Sequence, residues 1–139
     1  MWACVTTILE KLPHVSLNGS ANGVYGSAGS MGAADWSNTL SELERYRSYT
    51  DDWDGQGAKG IPREAIDAGM AIVDVLRANA IVPPNYVLPG FDGTVGFEWR
   101  IHDGGSITLD ISGPGSAEFE RYVPGGAYES IKFGETVPA

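Results

Sequence analysis

Between Val95 and Val123 apolar and polar residues alternate through three runs separated by glycine turns. Period-two alternation of this length constrains the chain to an antiparallel meander with one wet face. Val95, Phe97, Trp99 and Ile101 fall on one side, Gly96, Glu98 and Arg100 on the other, and Ile107, Leu109 and Ile111 repeat the pattern. Opposing the apolar sets pairs Ile101 with Ile107 and Trp99 with Leu109, which requires a three-residue loop, Asp103-Gly104-Gly105. A two-residue turn on Asp103-Gly104 would set Ile101 opposite Ser106 and send one apolar set into water. Across the second turn the same reasoning pairs Ile111 with Ala117 and Leu109 with Phe119. Arg121 then falls on the core side, which predicts a bulge or a strand end near Glu120.

On the wet face this register sets Glu98 opposite Asp110 and Asp110 opposite Glu118, three carboxylates in one line, with Arg100 and Glu120 nearby. Like charges directly opposed are mildly destabilising. Such a line serves as the solvated side of a sheet, as a docking face for a basic partner, or as a site for a hard cation, since Mg²⁺ and Ca²⁺ take clustered carboxylate oxygens.

At 139 residues the chain is sized for one domain. Eighteen acidic residues against nine basic ones leave a net charge of −9. That balance argues against direct nucleic-acid binding, which needs lysine and arginine along the phosphate path. It suits a basic protein partner, a mimic of nucleic-acid charge, or simple solubility. Cys4 is the single cysteine, so no intrachain disulfide forms. The N-terminus lacks a basic start and long apolar core, and no run approaches a membrane span, so a cytoplasmic location is expected.

Residues 1–15 hold a short apolar segment (Val5, Ile8, Leu9, Leu12) at helical spacing, and from Asn18 to Ala34 the composition turns to Gly, Ser and Ala. Residues 1–34 therefore read as a flexible N-terminal arm and residues 35–139 as the domain. A helix is predicted from about Trp36 to Tyr49, with capping-box spacing at Thr39 and Glu42. A second runs from Pro62 to about Asn79, burying Ile66, Met70, Val73 and Leu76, with Ala65, Gly69 and Ile72 widening the stripe. Arg63 with Asp67 and Asp74 with Arg77 have ion-pair spacing on its outer side. Between the helices lies an acidic glycine loop, Asp51-Asp52-Trp53-Asp54-Gly55-Gln56-Gly57. Trp53 there is either the plug that holds the loop on the core or an exposed binding hot spot. Pro83-Pro84 leads into an edge strand at Tyr86–Leu88, and a last strand is expected at Tyr128–Phe133.

Standard chemistry is missing. Nucleophilic catalysis needs a base beside the nucleophile, and only His14, near the arm, and His102, beside a hairpin turn, are available. Cys4 with two histidines does not make a zinc site. No phosphate loop follows Gly55-Gln56-Gly57 or Gly113-Pro114-Gly115, and the Asp51–Gly55 run lacks calcium-loop spacing.

Leu43-Glu44-Arg45-Tyr46-Arg47, Trp53-Asp54-Gly55-Gln56-Gly57-Ala58, Pro62, Pro83-Pro84, Gly96-Phe97-Glu98-Trp99 and Leu109-Asp110-Ile111 together resemble a family of small uncharacterised bacterial and phage-borne proteins, over roughly residues 40–123. The resemblance implies that the Trp-Asp-Gly loop and the Glu-Trp strand belong to one recurrent fold. It supplies no catalytic residue.

The expectation is an α+β domain, an antiparallel meander of four or five strands packed on two helices, acting without catalysis, cofactor or bound metal. The expected partner is a protein with a basic surface. Its contacts would be Glu98, Asp110 and Glu118, oriented by Arg100, with Trp53, Asp52 and Asp54 of the acidic loop. Antitoxin, immunity protein and phage-encoded inhibitor are compatible roles. Two alternatives are an Mg²⁺- or Mn²⁺-dependent enzyme using the carboxylate line, and a structural or virion component that assembles through the glycine-rich arm.

Overall fold

The computed structural model describes residues 9–15, 35–101, 104–126 and 128–133. Helices α1 (Ser37–Tyr46) and α2 (Arg63–Ala78) precede five strands, β1 (Tyr86–Pro89), β2 (Val95–Arg100), β3 (Ser106–Gly113), β4 (Ser116–Tyr122) and β5 (Tyr128–Phe133). The strands form one antiparallel sheet in the order β1-β2-β3-β4-β5, so this is an α+β fold built on a meander.

One face of the sheet is dry. Val87, Val95, Phe97, Trp99, Ile107, Leu109, Ile111, Ala117 and Phe119 are buried there, in one cluster with Leu43 and Tyr46 of α1 and Ala65, Ile66, Ile72, Val73 and Leu76 of α2. The α2 stripe is thus the expected one, with Met70 at its half-buried margin. Gly69 lets the helices approach, since a Cβ there would lie 3.3 Å from Leu43 Cδ2. Among the described residues no buried side-chain polar atom lacks a partner: the Trp99 indole N–H donates to the Val82 carbonyl at 2.8 Å, and the Tyr46 hydroxyl donates to the Val87 carbonyl at 2.8 Å.

Several local expectations are corrected. Trp99 pairs with Ile107 and Phe97 with Leu109, while Ile101 lies in the turn, where its N–H donates to the Gly105 carbonyl at 3.0 Å. The β2–β3 register is therefore displaced by two residues from the expected one. The β3–β4 register agrees, with Ile111 opposite Ala117 and Leu109 opposite Phe119, but its irregularity falls between Ile111 and Gly113 rather than near Glu120. β4 continues to Tyr122 because Arg121 reaches the margin of the core and donates to Glu129 at 3.2 Å. Thr39 is buried inside α1 and caps nothing; the Asp35 carboxylate accepts the Ser37 N–H instead, at 3.0 Å. Asp67 pairs not with Arg63 but with Arg47, the C-cap of α1, at 2.9 Å.

Residues 9–15 belong with the domain rather than with a separate arm. Leu12 is 3% exposed within the core cluster, His14 forms a bridge with Ile81, and Lys11 pairs with Glu129 at 3.3 Å. The glycine-rich segment, residues 16–34, lies outside the described residues, as do Cys4 and His102.

Candidate functional site

Alternation puts most polar side chains of the strands on the face away from the helices, with Arg121 and Glu129 falling on the Ile107 side at the sheet margin. The observed register orders them into cross-strand rows. One row runs Leu88, Gly96, Asp110, Glu118, Lys132, and the next runs Tyr86, Glu98, Thr108, Glu120, Ser130. The expected pairing of Asp110 with Glu118 is present. That of Glu98 with Asp110 is not: Gly96 stands opposite Asp110 and Thr108 opposite Glu98. The acids therefore occupy two adjacent rows instead of one line, and Glu120, two residues on from Glu118, joins the patch.

Most of these carboxylates already have partners. Arg100 donates to Glu98 at 2.8 Å and lies over the Tyr86 ring at 5.3 Å, so it is held in the plane of the face. The Ser130 hydroxyl donates to Glu118 at 3.0 Å and the Tyr128 hydroxyl to Glu120 at 3.1 Å. Asp110 differs, having no hydrogen-bond donor among the described residues. Its carboxylate folds over Gly96, where a Cβ would lie 2.7 Å from Asp110 Oδ1. Burial pushes this carboxyl up to about 6, and the charges of Glu120, Asp92 and Glu118 push it the same way. An open groove of about 510 Å³ adjoins it, walled by Phe91 and Asp92 on one side and Asp110, Glu118 and Lys132 on the other.

The acidic loop is built differently. The Trp53 indole N–H donates to the Lys59 carbonyl at 2.8 Å, and the ring packs 5.0 Å from Tyr49, which makes Trp53 the half-buried plug of the loop. Asp52 accepts the Gly57 N–H at 2.7 Å, and Asp54 accepts the Gln56 and Ala58 N–H groups at 2.8 and 3.0 Å. These bonds hold the Asp54 carboxyl below its usual range. Both aspartates thus serve the turn that carries them, and the structure does not bring them into the rows around Asp110.

Among the described residues no three His, Cys, Asp or Glu side chains are placed to share a metal ion. No described helix is long and apolar enough to cross a membrane. Phe91 lines this groove without having been singled out by the sequence pattern; the signal available was an aromatic between glycines, Gly90-Phe91-Asp92-Gly93. Compared with known proteins, the chain matches no family, no curated protein and no solved structure.

Proposed function

We infer that the helix-free face of the sheet docks a protein with a basic surface and that the domain acts by this binding, without catalysis. The observation that carries the reading is Asp110, a half-buried carboxylate with no donor among the described residues, beside Glu118 and Glu120. A lysine or arginine brought to it would supply the missing hydrogen bonds and relieve the repulsion. Glu98, paired with Arg100, flanks this negative surface on the side of β1. Trp53, Asp52 and Asp54 enter this reading as the scaffold of a neighbouring loop, and contact by them is secondary. An antitoxin, immunity protein or phage-encoded inhibitor in the cytoplasm would use such a face to block a basic functional surface.

The test is a pull-down with the immobilised chain from its own cell lysate, beside the double variant Glu98→Lys, Asp110→Lys. A basic protein retained by the wild type and lost by the variant is expected, with the circular dichroism of the two unchanged. Equal retention by both would remove this face from the function.

A further inference from the structure

Large apolar side chains in water lie at both margins of the open face, Tyr86, Leu88 and Phe91 by β1 and Tyr122 and Tyr128 by β4 and β5. Phe91 is the most exposed of them, at 74%. The loop that carries it is nonetheless pinned throughout. The Lys59 N–H donates to the Phe91 carbonyl at 2.8 Å, the Gly90 N–H to the Thr94 carbonyl at 2.7 Å and the Gly93 N–H to the Gly90 carbonyl at 3.0 Å. The Thr94 hydroxyl donates to Asp92 at 2.8 Å. Gly93 is buried at φ +90°, and a Cβ on it would press within 3.3 Å of the Gly60 carbonyl oxygen. The backbone that presents this ring is thus fixed before contact, so an anchor here would pay only for ordering the ring itself.

The chemistry on either side of the groove identifies what would cover it. A wholly apolar partner would strip water from Asp110 and Glu118 without replacing it. A purely polycationic one would leave Phe91 and Leu88 wet. A second copy of this chain would bring like charge to like, each at net −9. Strand addition is closed at Val87, whose carbonyl is already taken by Tyr46. We propose that Phe91, with Leu88 three residues before it, anchors a cationic amphipathic segment of a protein partner, which lays apolar side chains on these two residues and lysine or arginine toward Asp110 and Glu118. This rests on the basic-partner reading and adds to it that charge alone does not suffice.

Two synthetic peptides of equal positive charge test it by fluorescence titration at low ionic strength, one alternating Leu and Lys with helical periodicity, the other Ser and Lys. The Leu/Lys peptide is expected to bind more tightly, and Phe91→Ala to weaken it about tenfold while leaving the Ser/Lys peptide as it was. The ring is in water, so this variant keeps the wild-type unfolding midpoint. Asp110→Asn with Glu118→Gln weakens both peptides. Wild-type affinity of Phe91→Ala for the Leu/Lys peptide overturns the anchor. If the two peptides bind alike and answer only to the charge variants, the anchor falls and the basic-partner reading stands. If neither binds, both fall.

Discussion

An aspartate on a wet sheet face ordinarily keeps its solution acidity because water surrounds it. Asp110 does not, since the sheet removes water from one side of its carboxylate while Glu120, Asp92 and Glu118 repel the charge. The folded-state carboxyl titrates at about 6 against 3.8 for an unperturbed aspartate. Between those values the native chain keeps a proton that the unfolded chain has released, so stability falls as pH rises through this window and stays reduced above it. Taken whole, the shift corresponds to about 3 kcal/mol; screening by the water that reaches this half-buried group lowers the expectation to about 1 kcal/mol. Asp110→Asn is therefore expected to be more stable than wild type by that amount at about pH 7.5 and indistinguishable from it at about pH 4, by paired urea denaturation. An equal difference at both pH values would show that ionisation is not the cause. The same penalty bears on binding, because a cation seated beside Asp110 removes a repulsion the fold otherwise carries.

At the scale of elements, helix and strand positions were largely legible in the sequence, while cross-strand register was legible only in part. Alternation specifies which face a side chain takes, and a displacement of two residues leaves every face unchanged. The apolar pattern therefore cannot distinguish Trp99 opposite Leu109 from Trp99 opposite Ile107. Charge can: the observed register sets Gly96 opposite Asp110 and Thr108 between Glu98 and Glu120, separating acids that the alternative would oppose directly. The site was blurred for the same reason, and the Asp52 and Asp54 side chains were illegible as turn acceptors because a carboxylate bonded to backbone and one facing water have the same sequence. The end of α2 carries a further local conflict. Ala80 adopts φ +60°, its N–H donates to the Arg77 carbonyl at 3.1 Å, and the Ile81 N–H donates to the Leu76 carbonyl at 3.0 Å. This is a Schellman ending in which alanine occupies the left-handed position that glycine fills without steric cost. Ala80→Gly is expected to stabilise the domain by about 0.5–1 kcal/mol, the relief of that strain less the entropy of a freer unfolded chain. A lower urea midpoint for the variant would mean that the alanine methyl contributes packing that outweighs the strain.

For the molecule as a whole, the question is where the folding unit begins. Composition separates residues 1–34 from the rest, yet the chain on the near side of the glycine-rich stretch returns to the domain. The Val15 N–H donates to the Ala80 carbonyl at 2.6 Å and the Val82 N–H to the Pro13 carbonyl at 2.9 Å, tying residues 13–15 to the segment that follows α2. Lys11 reaches Glu129 on β5, which also holds Arg121. Leu12 sits between these tethers with its side chain in the common core. A residue docked only on the outside of a finished domain would detach before the rest unfolded, and its loss would leave the main transition where it was. A residue that completes the core shifts the whole transition, because the buried cluster shared by sheet and helices loses one of its members. Leu12→Ala is accordingly expected to cost about 2–4 kcal/mol and to lower the urea midpoint with an unchanged slope, seen equally by Trp fluorescence and by far-UV circular dichroism. A wild-type midpoint in this variant would return residues 9–15 to the arm and place the start of the cooperative unit at Asp35.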